Sequence, residues 1–437
     1  MRIILSLLFC LGAAAPLLGN ANGDPVAQDT TQHLAIAATG VDTSQNPKVT
    51  PITVERALAL AEQNSPLLKE AEAAVSRAQA GIQTARAYSN PSVEFLAGNQ
   101  SARSIATPGV PGTLWHYSAS QPIEIPTERR NRISSSKLEY SGMRYRLQGT
   151  RLSVAADVKR AFYDVIWRKE QLNQAKENLS LVEDLTHRVR LEVEVGEKGK
   201  LELTRAEAEQ ARARVAVRSA DVQLANARAI LKAAIGSPSE ETFDAEGLLR
   251  DSVAMQPLNE LRQQVLANHP ALSEANALTE RTHAVVQQEQ ARRIPQPSVF
   301  GEYEKQPDIT FYRFGISTSL PLWDRRKGPI AEAKAEVKRS EAISQQRRLE
   351  ITSALERAYD QYQISNEQIE GLEAGSLREA QAAVEAARSA YKFGERGILE
   401  VLDAQRVLYG VRSDLLDAMF ARRSALIDLE ELGAIQR

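Results

Sequence analysis

Between residues 129 and 193 the apolar side chains recur at steps of three and four. They run through Leu172, Ala175, Leu179 and Val182 to Leu185 and Val189, with no proline and only Gly142 and Gly149 intervening. That spacing keeps one face of an α-helix apolar. The same signature predicts helices over about 52–87, 201–235, 257–293, 330–392 and 398–434. In the last of these, Leu408, Val411, Leu415, Ala418, Leu426 and Leu429 mark the stripe, interrupted by Arg422. Asn64-Ser65-Pro66 and Asn268-His269-Pro270 place proline early in their stretches, where a missing amide is tolerated. At about 1.5 Å per residue the longer helices reach roughly 90–100 Å. Helices of that length must associate as bundles or coiled coils.

Two pairs of segments change period. Ser92 to Gly98 precedes Thr113 to Gln121 across a loop holding Pro108, Gly109, Pro111 and Gly112, and Ser298 to Lys305 precedes Ile309 to Leu320. In the second member of each pair the side chains alternate. Trp115, Tyr117 and Ala119 oppose His116, Ser118 and Ser120, while Tyr312, Phe314, Ile316, Thr318 and Leu320 oppose Arg313, Gly315, Ser317 and Ser319. Alternation over about 9–11 residues, with aromatics toward one end, suits a tilted membrane strand. A half-buried soluble hairpin alternates in the same way, so the strands alone leave both readings open. The very long flanking helices favour the membrane reading.

The pattern occurs twice. Asn64-Ser65-Pro66-Leu67-Leu68 returns as Asn268-His269-Pro270-Ala271-Leu272 at an offset of 204, and Pro91-Ser92-Val93 as Pro297-Ser298-Val299 at 206. Arg160-Ala161-Phe162-Tyr163 returns as Arg357-Ala358-Tyr359-Asp360 at 197, and Val195-Gly196-Glu197-Lys198-Gly199 as Phe393-Gly394-Glu395-Arg396-Gly397 at 198. A period near 200 is too long for a solenoid and indicates two homologous halves. The expected division is a first repeat over 52–236, a linker over 237–256 and a second repeat over 257–437.

The N-terminus is a processing segment. Arg2 precedes an apolar run from Ile3 to Leu18, and Gly19-Asn20-Ala21 supplies small residues. Residues 1–21 are read as a secretory signal peptide, followed by an N-terminal extension over 22–51. Cys10, the only cysteine, lies inside the signal, and Leu7-Leu8-Phe9 before it lacks the small residues of a lipidation site. The mature chain is therefore expected to carry neither disulfides nor thiolate metal sites.

Composition excludes other classes. No later run reaches the roughly 18 apolar residues of a membrane helix. With 54 basic and 56 acidic residues, nothing suggests a nucleic-acid partner. Aromatics at 5% and abundant alanine fit close-packed long helices. His33, His116, His187, His269 and His283 are scattered without ligand spacing. There is no nucleophile elbow, phosphate loop or metal-ligand cluster, so no catalytic residues, cofactor or metal site are assigned and the chain is not read as an enzyme.

Four strands cannot close a barrel in lipid, because an open edge leaves amides and carbonyls unpaired at several kcal/mol each. Several chains must pool strands. Two would give eight, whose interior fills with side chains; three would give twelve, an even number with room for a channel.

Phe393-Gly394-Glu395-Arg396-Gly397-Ile398-Leu399-Glu400-Val401-Leu402-Asp403-Ala404 resembles the turn-and-helix segment at the periplasmic tip of the TolC family of outer-membrane efflux factors. The resemblance covers nearly all of the mature chain. It implies a mixed fold, a membrane β-barrel joined to a long α-helical barrel, with four strands per protomer of a twelve-stranded homotrimer. It implies a duct in the outer membrane with its helical portion in the periplasm, serving a periplasmic membrane-fusion (adaptor) protein and an inner-membrane RND transporter. Arg396, Glu400 and Asp403 match the family's gate positions. The first half keeps Lys198 and Glu202 there but carries Arg205 in place of the second acid.

Read physically, Glu400 and Asp403 share one face of a helix near its start, and threefold symmetry would gather six carboxylates on the axis. Acids in a first turn also complement the helix dipole without any gating role, and that reading stays open. Gly196, Gly199, Gly394 and Gly397 mark the hairpin tips. Gln121-Pro122-Ile123-Glu124 with Arg129-Arg130, and Leu320-Pro321-Leu322-Trp323-Asp324-Arg325-Arg326-Lys327-Gly328, look most like the heavy-metal branch. Pro126-Thr127-Glu128 departs from that branch, which more often has glycines there. Heavy-metal cations are thus the expected cargo. Multidrug efflux or type I secretion through the same duct, and a periplasmic coiled-coil scaffold, are the alternatives.

Overall fold

The computed structural model describes residues 49–100, 111–237, 241–249 and 253–435. The expected signal peptide, Cys10, His33, Pro108 and Gly109 lie outside them. The chain begins with β1 (Val49–Ile52), α1 (Val54–Asn64) and α2 (Pro66–Arg86). Thr53 caps α1, its hydroxyl accepting from the Arg56 amide at 3.4 Å. The break at Ser65 is complete, because a residue before proline is pushed to extended backbone and proline cannot donate to the preceding turn. Ser65 accordingly has ψ 120°. The same break separates α5 (Leu258–Asn268) from α6 (Pro270–Ala291), where His269 has ψ 125° and its Nδ1 accepts from the Ala271 amide at 3.1 Å.

Between these helix pairs run β2 (Ser92–Gln100), β3 (Gly112–Pro122), α3 (Pro126–Glu194), α4 (Lys200–Ile235) and β4 (Thr242–Ala245). After α6 come β5 (Pro297–Lys305), β6 (Thr310–Thr318), α7 (Lys327–Gly371), α8 (Leu377–Lys392) and α9 (Ile398–Glu431). α3 is unbroken for 69 residues, about 100 Å. The stretch expected as one helix over 330–392 is instead divided by a π-helical turn at Leu372–Ser376.

Two sheets form. β1 pairs with β4 in parallel, Ile52 opposite Ala245, so the extension and the linker of the sequence reading meet as strands. Asp244 fastens β4 to the helices by accepting from Lys169 at 2.6 Å and Arg228 at 2.8 Å. The other sheet is antiparallel in the order β2-β3-β5-β6. Within it Phe300 lies opposite Gly315, and Gly301 opposite Phe314. A Cβ on Gly315 would approach the Phe300 ring to 2.7 Å and one on Gly301 would meet Phe314 at 3.2 Å. Each ring thus lies over the neighbouring strand's glycine, the arrangement by which aromatics rescue glycine in a sheet.

The helices share a core around β1 and β4, built from Phe162, Val165 and Ile166 of α3, Leu231 and Ile235 of α4, and Ile427 of α9. A second core joins Leu261 and Val265 of α5 to Leu355 of α7 and Leu426 and Leu429 of α9. Trp167 stacks on Phe420 at 4.4 Å between the first core's helices. Arg422, which breaks the apolar stripe in the sequence, is buried, and its guanidinium donates to Asn366 Oδ1 at 3.2 Å. That bond satisfies one end of a buried polar group, while the Arg422 Nε has no hydrogen-bond partner.

Candidate functional site: the hairpin tips and the exposed strand face

α3 ends and α4 begins within a few residues, and α8 and α9 do the same. At both ends the chain reverses through a left-handed glycine, Gly196 at φ 84° and Gly394 at φ 74°. Six-to-one bonds close each end, from the Glu197 amide to Glu192 O at 2.9 Å and from the Glu395 amide to Ala390 O at 2.9 Å. This is the glycine-dependent C-cap that a residue with a Cβ resists. Gly199 and Gly397 then occupy the N-caps of α4 and α9. The glycines singled out in the sequence therefore make both turns.

The two tips pack on one another. Ile398, Val401 and Leu402 of α9 share a small core with Leu185 and Val189 of α3 and Ala206 of α4. Above it, the Tyr391 hydroxyl donates to Glu192 and Lys198 sits 5.3 Å over the Tyr391 ring, so α8 is latched to the other hairpin. Glu202 has a buried Oε2 without a hydrogen-bond partner. Burial, the bond to Glu192 and the negative charges of Glu192 and Glu202 all push the Tyr391 hydroxyl pKa up, above the ordinary tyrosine value.

Arg396 lies 3.9 Å from Glu400, both exposed. Asp403 engages Arg406 instead, at 2.9 Å, and Arg406 also reaches Glu209 of α4 at 3.3 Å. Glu400 and Glu202 stand in the first turns of α9 and α4, and Glu400 Oε2 curls back to 3.4 Å from where a Gly397 Cβ would be. It thus complements the helix N-terminus. Asp403, further along, does not. The sequence reading missed Tyr391, Glu192 and Arg406. All three were visible as departures between the halves at the offset of 198, where Val193 matches Tyr391, Ala390 matches Glu192 and Ala208 matches Arg406.

Because the Tyr391 pKa is raised on folding, the latch contributes below the ordinary tyrosine value. It is lost only when pH climbs past the raised one. Ultraviolet titration should therefore show one tyrosine ionising above about pH 10 that is missing in Tyr391→Phe. A difference curve superimposing on the ordinary tyrosines would contradict the latch.

The four-stranded sheet segregates its faces. Phe95, Tyr117, Tyr303 and Tyr312 form one row across all four strands, with centroids 4.9, 6.0 and 5.2 Å apart. Trp115 joins them 5.7 Å from Phe95. Trp115, Tyr117, Tyr312, Phe314 and Ile316 all lie on this face, and Phe314 is 84% exposed. The opposite face carries the sheet's ion pairs, alongside Leu96, Phe300 and Phe311. Arg313 donates to Glu302 at 3.0 Å and Glu304 at 2.6 Å, and His116 lies 3.9 Å from Glu304. Phe95 and Tyr303 were not picked out in the sequence, since β2 and β5 alternate less cleanly than their partners.

Among the described residues no helix is long and apolar enough to cross a membrane, and no group of His, Cys, Asp and Glu could hold a metal ion. The sheet, with an aromatic face and a face that carries its ion pairs, is joined to helices of which the longest, α3, runs about 100 Å. The profile of the family described as Outer membrane efflux protein matches residues 57–237 and 261–433, and the chain belongs to that family. Its members are passive channels of efflux systems, not enzymes.

Among similar proteins is the cobalt-zinc-cadmium resistance protein CzcC of Cupriavidus metallidurans. It is 27% identical over 364 residues, 83% of this chain and 85% of that one. The nickel-cobalt-cadmium resistance protein NccC of Alcaligenes xylosoxydans xylosoxydans is 27% identical over 330 residues, 75% of this chain and 73% of that one. Crystal structures of CusC superpose with a TM-score of 0.74 at 20% identity, covering 87% of this chain and 91% of that one. The outer membrane channel CmeC of Campylobacter jejuni gives 0.74 at 16% identity, covering 87% and 85%.

Proposed function

We propose that three copies of this chain close a twelve-stranded barrel in the outer membrane. Their hairpins continue it as a helical tube into the periplasm, and the assembly is the passive exit duct of a tripartite pump for heavy-metal cations. The observation that carries this reading is the four-stranded sheet. Among the described residues its β2 and β6 edges have no partner strand, and an edge in lipid must be paired. Its aromatic face suits acyl chains and its charged face suits water. The two runs of helix pair, strand pair and long hairpin support reading 52–236 and 257–437 as structural repeats.

The tips form the gate. Arg396, Glu400, Asp403 and Glu202, with the Tyr391–Glu192 latch, hold the hairpins in the closed arrangement, and docking of a periplasmic adaptor joined to an inner-membrane RND transporter releases them. The metal cargo is supported by the relatives named for cobalt, zinc, cadmium and nickel resistance and by the Leu320–Gly328 segment. In this reading selection among cations belongs to the inner-membrane pump.

Deleting this protein from a host that keeps its pump and adaptor should lower tolerance to cobalt, zinc or cadmium at least fourfold. Plasmid-borne protein should restore it, and the protein should be recovered from the outer-membrane fraction in heat-modifiable form. Unchanged metal tolerance with altered drug tolerance would overturn the cargo. Recovery as a soluble periplasmic protein would overturn the duct.

A further inference from the structure

The π-helical turn at Leu372–Ser376 has no counterpart in α3. The two halves match at an offset of 197 at Arg160/Arg357 and at Leu172/Ile369, but at 198 at Val195/Phe393. One extra residue therefore entered the second half between Ile369 and the tip. In an uninterrupted α-helix it would have rotated everything beyond it by about 100°. The π turn absorbs it, closing with a bond from the Leu377 amide to Leu372 O. As a result Ala380 and Val384 of α8 are buried at the positions equivalent to the buried Val182 and Thr186 of α3.

The turn itself is lightly anchored, held mainly by Leu372, which packs half-buried against the first core. None of its five residues is buried, whereas Ile369 before it and Ala380 after it are. Gly371 and Gly375 have nothing within 4 Å of a built Cβ, and glycine inside a helix loosens it. An open groove of about 710 Å³, lined by Leu372, Ser376, Asp414 and Asp417 among others, runs beside it. On the returning helix, Gly410 lies one turn below Asp414 and is likewise uncrowded. Single π turns inside α-helices are rare and concentrate where function requires them, and sharp helix bends arise at such sites.

We infer that Leu372–Ser376 is the pivot about which the α8–α9 tip swings while the continuous α3 holds the other hairpin in place. The inference rests on the reading of the tips as a gate. From Leu377 to Lys392 the lever is 16 residues, about 24 Å. A bend of 10° there would carry the tip about 4 Å, enough to part the Tyr391–Glu192 contact.

Hydrogen exchange on the purified full-length protein should find the amides of 372–377 exchanging at least tenfold faster than those of 174–180 in α3. Deleting Gly375 should remove that difference by restoring an α-helix. Spin labels on Val195→Cys and Phe393→Cys, diluted with unlabelled chains, should report a broad tip-to-tip distance distribution that the deletion narrows. If the deletion chain fails to assemble, Gly371→Ala with Gly375→Ala keeps the register and should narrow the distribution in its place. Equal exchange in the two helices, or an unchanged distribution in the assembled variant, would overturn the pivot. Neither readout uses conductance through the tips, so a gate that failed on conductance would be distinguishable from a pivot that failed here.

Discussion

Replacing both Glu400 and Asp403 by alanine is expected to abolish block of the channel by multivalent cations and to raise single-channel conductance severalfold. Threefold symmetry would bring six carboxylates to the axis. Two of them about 6 Å apart repel by about 3 kcal/mol at an effective dielectric of 20, before salt screens them. A di- or trivalent cation relieves that repulsion, which is why the ring should bind one. The geometry adds a second arm, because Asp403 is held by Arg406 rather than Arg396. Arg406→Ala should free Asp403 and tighten the block. Planar-bilayer recordings check both, and a double-alanine channel with unaltered conductance and block would sink the gate assignment.

Phe314→Arg is expected to prevent stable assembly in the outer membrane, while Arg313→Gln, one residue away, should leave it intact. Phe314 is 84% exposed on the aromatic face, whereas Arg313 points to the charged face and is held by Glu302 and Glu304. An arginine on the lipid side near mid-membrane costs about 2–4 kcal/mol per chain, and a trimer would incur it three times. Arg313→Gln only weakens contacts on the wet side. Heat-modifiable mobility of the two variants provides the measurement, and equal behaviour would mean the faces do not divide lipid from water.

The long helices were legible because their apolar period runs without competing signals, and the helix expected over about 129–193 lies within a few residues of α3 at Pro126–Glu194. The strands β3 and β6 were legible because aromatics alternate with small polar groups. What escaped depends on partners far away in the chain. β1 and β4 are four residues each, too short to show a period, and they exist only because they pair across nearly 200 residues. The π turn was invisible as structure, although its cause, a one-residue drift between the halves, was in plain view. At the tips the glycines announced the turns through their backbone needs. Arg406 looked like any surface arginine until α4 brought Glu209 beside it.

The paired rings and glycines of β5 and β6 constrain how this sheet can drift. A methyl on Gly315 would force the Phe300 ring, 2.7 Å away, to move, and one on Gly301 would press Phe314 at 3.2 Å less severely. A substitution at either glycine becomes easier after the opposing ring has shrunk, so the order of mutational steps matters. Contacting sites couple by roughly 0.5–3 kcal/mol, enough to make the wrong order a dead end under selection. These four positions should therefore change among descendants as two linked characters, each ring lost together with its glycine.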